Sequence, residues 1–250
     1  FDREVQFYLA YLEYIAPLRQ AGLPFCSPRV SARSKEVFAT ETFDVALARR
    51  LVGEGATVVC NDFALSGPER ILVVSGPNQG GKTTLARTFG QLHHLASLGC
   101  PVPGRAAQLV LFDQLFTHFG RAADHSTPDG TLQDELVRVR DILAQATSRS
   151  LVVMNESLAS TTLGDALALG AAVLGQMIER DLLGVWVTFV EELASLGPAT
   201  VSMVSVVAPG DATARTYRVV RRPADGLAYA LAIAKKYGLT YERLRSRLAP

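Results

Sequence analysis

Cysteine is scarce in this sequence: Cys26, Cys60 and Cys100 are isolated, odd in number and without CxxC spacing. That argues against a disulfide framework and a zinc site, and it fits a reducing cytoplasm, the expected location. Net charge is nearly absent as well, with 25 Lys and Arg against 24 Asp and Glu, so no global field gathers nucleic acid or acidic lipid. Any contact with nucleic acid must then be local or lie outside this chain. No apolar run approaches the roughly 18 residues of a membrane helix, and the start lacks the basic-then-apolar order of a signal peptide. No membrane partner is therefore expected. Internal repeats and low-complexity tracts are missing too. The single tryptophan, Trp186, sits among apolar neighbours and is expected in a core strand rather than on a base-stacking platform.

What is there is 250 residues, 48% of them hydrophobic, enough for one large domain or two small ones around a sizeable core. From Asp2 to Gly22 apolar residues recur at Val5, Leu9, Leu12 and Ala16, predicting a helix with one adhesive stripe that needs a partner surface. The chain opens at Phe1 in what reads as the middle of a helix, so a fragment of a longer protein is expected. Pro24 and Pro28 close that helix, and residues 31–54 are mixed and polar with one helical signal at Phe43 to Leu51. Residues 1–54 are thus expected to be a helical connector and residues 55–250 the main domain.

After Gly55 short β-rich runs alternate with helical ones. The strands are predicted at Val58 to Cys60, Ile71 to Ser75, Leu109 to Phe112, Leu151 to Met154, Val185 to Phe189, Val201 to Val207 and Tyr217 to Val220. Helices are predicted at Thr83 to Leu98, Leu132 to Ala146 and Asp165 to Ile178. Two further helical pieces, Leu227 to Tyr237 and Tyr241 to Leu248, are separated by Gly238 as C-cap and Thr240 as N-cap. The alternation implies α/β layers around a central sheet.

The segment Gly76-Pro77-Asn78-Gln79-Gly80-Gly81-Lys82-Thr83, followed by Thr84, satisfies the spacing G-x-x-x-x-G-K-S/T between a predicted strand and a predicted helix. Glycines let backbone N–H groups converge on phosphate oxygens, and the helix start adds partial positive charge. Lys82 reaches the β and γ phosphates, and the Thr83 hydroxyl can ligate Mg2+. ATP and Mg2+ are the expected cofactors. Such an enzyme also needs a carboxylate at a strand end. The run Leu151 to Asn155 is a buried strand, and Glu156 at its end would face the nucleotide and position water. Asn155 stands where a metal-supporting aspartate is usual. The catalytic candidates are therefore Glu156 and Lys82, and the metal candidates Thr83, Asn155 and Glu156.

At this point the sequence resembles the MutS family. The resemblance is carried by Asn61-Asp62, by the Gly76-Pro77-Asn78 opening with Gly80-Gly81-Lys82-Thr83-Thr84, and by Gly99-Cys100-Pro101-Val102-Pro103. It continues through Asp113-Gln114-Leu115-Phe116-Thr117, Asp141-Ile142-Leu143 with Ala146-Thr147, and Ser150 to Glu156. It implies a P-loop NTPase of ABC type with an N-terminal helical connector. It also implies a homodimer whose ATP sites are completed by the facing subunit, coupled to mismatched or branched DNA through domains outside this chain. Four segments depart from the family: Asn155-Glu156 for aspartate-glutamate, Leu158-Ala159-Ser160 for glycine-arginine-glycine before Thr161, Gly130-Thr131 for serine-threonine, and Thr188-Phe189 for threonine-histidine. They imply slow hydrolysis on an intact phosphate cradle.

Other residues are weighed alongside. Gly130 and Thr131 either meet the γ-phosphate on a partner subunit or simply cap a helix. Asp113 either lies near the metal or is a turn carboxylate. His93 and His94 are assigned to packing or surface, and Arg221, Arg222, Arg243, Arg245 and Arg247 to a solvated face. The adenine pocket is not assigned from the sequence; Asn61 and Phe63 lie upstream of it. The rival functions are a nucleotide-gated dimerisation scaffold with little hydrolysis and a transporter or chromosome-condensation ATPase of similar fold.

Overall fold

A strand of five apolar or small residues, flanked by a Gly67-Pro68 turn and a glycine loop, is suited to burial on both faces. Ile71–Ser75 is that strand, and all five of its residues are buried. The computed structural model describes residues 2–120, 131–208 and 211–224, with isolated positions between 234 and 245. In chain order the elements are α1 (Asp2–Gln20), β1 (Phe25–Cys26), β2 (Arg29–Ser31), β3 (Val37–Thr42), α2 (Val45–Gly53), β4 (Asn61–Leu65), β5 (Ile71–Ser75), α3 (Lys82–Ser97), β6 (Val102–Pro103), β7 (Ala106–Val110) and β8 (Leu115–Phe119). There follow α4 (Thr131–Gln145), β9 (Leu151–Asn155), α5 (Leu163–Glu179), β10 (Leu183–Val187), a 3-10 turn (Glu191–Ser195), β11 (Thr200–Ala208) and β12 (Asp211–Arg221).

The main sheet has the order β12-β11-β5-β10-β9-β8. Its strands run parallel except for β12, which returns antiparallel to β11. One face packs on α3 through Leu72, Val74, Leu85, Phe89, Leu92, Val153 and Val185. The other packs on α4 and α5 through Ile71, Val73, Met154, Leu174, Met177 and Trp186. Each such side chain, once fully buried, contributes roughly 1.5–3 kcal/mol. Trp186 thus lies in the core, as its neighbours in sequence suggest.

A second sheet, ordered β2-β7-β3-β4, packs against the α3 side. Its strands β2 and β3 come from the stretch expected as a polar connector, so backbone pairing crosses position 54. Several expectations need correction. Val58 and Cys60 do not form a strand; they pack on Leu18, Phe43 and Ala48, and pairing starts only at Asn61. Strand β7 ends at Val110, before Phe112, and β8 was not expected at all. On α1, Val5, Leu9 and Leu12 of the apolar stripe are exposed, whereas Ile15 and Leu18 are buried. Tyr8 and Tyr11 donate their hydroxyls to Leu98 and Pro101 carbonyls at 2.7 Å each, which fixes the rotation of α1. No helix among the described residues is long and apolar enough to cross a membrane. The expected C-terminal helices, Gly238 and Arg247 included, lie largely outside the described residues.

His93 is a packing residue, fully buried against the Phe89 ring at 4.5 Å, with Nδ1 2.8 Å from the Phe89 carbonyl. His94 is exposed. Burial pulls the His93 pKa down to about 4 from 6.5. Between those values the unfolded chain binds a proton that the folded one refuses. Stability should therefore be complete above pH 6.5, fall by up to about 3 kcal/mol as the pH drops to 4, and lose most of that slope in His93→Leu, as read from urea unfolding at several pH values.

Candidate functional site

The glycine loop connects β5 to α3 and lies at the carboxyl end of the parallel strands, where α/β sheets place ligands. Lys82 opens α3, is 6% exposed, and donates its ammonium to Gly76 O at 2.7 Å, Pro77 O at 3.1 Å and Asn78 Oδ1 at 3.2 Å. Burial pulls its pKa below the usual lysine value; the Glu156 carboxylate opposes this and the Arg215 guanidinium adds to it. The ammonium thus braces the loop from inside and stands within electrostatic reach of Glu156.

Two glycines are dictated by packing as well as by ligand access. A Cβ at Gly80 would stand 2.1 Å from Ser205 Oγ, and one at Gly76, where φ is 110°, would stand 2.8 Å from Ser205 O. Ser205 on β11 uses that proximity to donate to Gly80 O at 2.6 Å. Arg215 on β12 donates Nε–H to Asn78 O at 2.9 Å. The loop is therefore clasped from behind by the β11–β12 hairpin.

The expected acidic strand end lies across from the loop. Thr83 Oγ–H donates to Asn155 Oδ1 at 2.7 Å, joining the first turn of α3 to the end of β9. Asn155 is buried, and Glu156 is exposed at φ 53°, with its N–H bonded to Val187 O at 2.8 Å. Thr83, Asn155 and Glu156 offer hydroxyl, amide and carboxylate oxygens, a set that suits Mg2+, which takes few protein ligands and keeps water and phosphate. Only one of the three carries charge.

A cleft of about 590 Å³ runs from Gln79, Gly81, Lys82, Thr83, Thr84 and Glu156 to Phe43, Leu47, Leu51, Val58 and Val59. One wall is therefore α2, from the stretch expected as connector. Asp44 caps α2, accepting from Leu47 N at 2.9 Å, and its buried carboxylate meets Arg87 of α3 at 3.0 Å. Asn61 lines the cleft, but its amide is committed to β12: Nδ2 donates to Tyr217 O at 3.1 Å and Oδ1 accepts from Val219 N at 2.7 Å. Phe63 is not in the cleft; it is buried 5.3 Å from the Phe89 ring.

Asp113 is at the wrong end of the sheet for a metal. It precedes β8, beside Ser150 at the start of β9, and accepts from the hydroxyls of Thr147 and Ser150. Burial pushes its pKa up, but these bonds and the Gln114 N–H hold it below the usual carboxylate value. It is a turn carboxylate. Thr188 is buried and accepts from Val190 N at 3.0 Å, whereas Phe189 is 48% exposed beyond the end of β10. Gly130 lies outside the described residues, and Thr131 is described only as the start of α4. Arg221 pairs with Glu69.

Sequence reasoning missed Ser205, Arg215, Asp44 and Arg87, none of which belongs to a local motif. It also missed Glu135 of α4, a buried carboxylate accepting from Leu158 N at 2.9 Å.

The sequence that forms this mixed α/β fold, with its parallel central sheet and glycine loop, matches a known family model. The model for MutS domain V covers residues 72–244. An endonuclease MutS2 from Gemmatimonas aurantiaca is 33% identical over 189 residues, 74% of this chain and 23% of the relative. One from Thermus thermophilus is 34% identical over 75% of this chain and 25% of its own length. A DNA mismatch repair protein MutS from Ruminiclostridium cellulolyticum is 29% identical over 92% of this chain and 27% of its own. The chain belongs to the MutS family, and it spans about a quarter of the length of these relatives.

Replacing Asp44 by Ala removes both the cap of α2 and the partner of Arg87. It should cost about 1–2 kcal/mol and lower the melting temperature by roughly 2–8 °C, while Asp44→Asn, which keeps the cap, should lose less; thermal unfolding by circular dichroism measures both.

Proposed function

We propose that this chain is the ATP-binding and ATP-hydrolysing domain of a MutS-like protein, a P-loop module of ABC type. The observation that carries this is the Thr83–Asn155 hydrogen bond at 2.7 Å, which sets the loop braced by Lys82 beside the strand end that presents Glu156. Phosphates would lie along the N–H groups of residues 78–84, with the Asn78 side chain and Lys82 toward the γ end. The adenine would rest on the apolar wall of Leu47, Leu51, Val58 and Val59. Mg2+, when bound, neutralises developing phosphate charge; Thr83, Asn155 and Glu156 are the residues that would hold it. Glu156 orients water for attack on the γ-phosphorus, giving ADP and inorganic phosphate.

The reading extends to a homodimer whose facing surfaces complete each site, and to coupling between nucleotide state and mismatched or branched DNA held by other parts of the protein. The names of the relatives, a mismatch repair protein and an endonuclease, support DNA as the partner. Contacts that exist only with the γ-phosphate can bias such a two-state interface. Slow turnover is expected because Asn155 brings no charge to the metal. A second reading, a nucleotide-gated scaffold that seldom hydrolyses ATP, is favoured by the exposed Phe189 ring at the position where the family carries histidine.

Single-turnover hydrolysis across a protein concentration series decides between them. Turnover should rise with protein concentration and fall roughly 100-fold or more in Glu156→Gln, with ATP still bound; tight binding without turnover in either protein supports the scaffold. Asn155→Asp should lower the Mg2+ concentration needed for half-maximal nucleotide binding, and an unchanged Mg2+ dependence would show that this amide does not limit the metal.

A further inference from the structure

The segment after β9 has an unusual backbone. Glu156 at φ 53° and Leu158 at φ 64° both take the left-handed conformation, which side chains with a Cβ rarely adopt. Such a loop keeps its shape only where its surroundings over-determine it. Its near end is fixed by Glu156 N to Val187 O at 2.8 Å and Gly120 N to Asn155 O at 2.9 Å. Its far end is fixed by Leu158, whose side chain is 1% exposed in the core between sheet and helices, and whose N–H is held by Glu135 Oε2 at 2.9 Å.

Glu135 itself is buried, and a buried carboxylate is a costly acceptor for one backbone N–H unless that position must be held. Burial pushes its pKa up while the Leu158 bond opposes. The residue stands four positions into α4, an element otherwise packed through Val139 and Leu143. We infer that Glu135 is a positioning residue for Glu156: by holding the Leu158 N–H it fixes the turn that aims the Glu156 carboxylate into the cleft. This rests on the proposed role of Glu156 in ATP hydrolysis.

The test uses the full chain, well below its melting temperature, with four substitutions: Glu135→Ala, Glu135→Leu, Glu135→Gln, and Glu135→Ala combined with Glu156→Gln. Glu135→Ala should slow single-turnover hydrolysis by about 10-fold or more, leave the ATP dissociation constant within about twofold, and speed hydrogen exchange at the Leu158 amide. Glu135→Gln keeps an acceptor oxygen and should restore both rate and protection. In the Glu156→Gln background the Ala substitution should add no further loss, because both act through one group. Should the Ala variant not fold, Glu135→Leu, close in volume and lacking an acceptor, gives the same comparison. Faster Leu158 exchange with unchanged hydrolysis would make Glu135 purely structural, and an undiminished further loss in the Glu156→Gln background would show that it acts elsewhere; either overturns the inference while leaving the ATPase reading standing. A Glu156→Gln variant that hydrolyses ATP normally would instead remove that reading and the positioning role together.

Discussion

The hydrogen bond from Thr83 Oγ to Asn155 Oδ1 joins the two halves on which the candidate site depends. Thr83 belongs to the first turn of α3 and so moves with the glycine loop; Asn155 ends β9 and so moves with the central sheet. A hydroxyl bonded to a buried amide fixes the distance between the phosphate side and the carboxylate side to within a few tenths of an ångström. Everything further out inherits that register. Glu156 follows Asn155 directly, the next turn is held by Glu135 from α4, and the loop is clasped from behind by Ser205 and Arg215. The site is the meeting of strand ends, helix starts and one hairpin.

The electrostatics of this arrangement differ from what an aspartate at position 155 would give. Thr83 would still have an acceptor, but the buried pair would carry a negative charge beside Lys82. With asparagine, the charge facing the Lys82 ammonium comes from Glu156, which is exposed and screened. In the proposed function this lowers the attraction for a divalent cation while leaving in place the phosphate contacts, which come from the loop's backbone N–H groups, Asn78 and Lys82. In the same proposal, Phe189 sets an exposed ring where the family carries histidine. In that proposal, binding and turnover are separable.

The glycine loop and its flanking elements were legible in the sequence because their determinants are local. Strand β5 agrees residue for residue with its apolar run, and α3, α4 and α5 start within a residue or two of their periodic patterns. The glycine spacing, Lys82 and Thr83 mark the proposed phosphate loop within eight residues. Edge elements were not legible. Strand β8 carries Thr117 and His118 among its five residues and sits at the margin of the sheet, so it shows no continuous apolar run. Strands β2 and β3 are short and half-exposed, and Val58 to Cys60 has the composition of a strand but spends its side chains on α2. The supports of the site were invisible for another reason: Ser205 lies 125 residues from Gly80 and Arg215 137 residues from Asn78. Only the packing of β11 and β12 behind the loop brings them there, and no single-sequence pattern encodes that pairing.

The most direct test of the account is calorimetric titration of the chain with a non-hydrolysable ATP analogue and Mg2+, beside Lys82→Ala. One site per chain, with affinity lost by about 100-fold or more in the variant, a change of roughly 3 kcal/mol, is the predicted result. No heat from the unmodified chain, or equal affinity in both proteins, would contradict it.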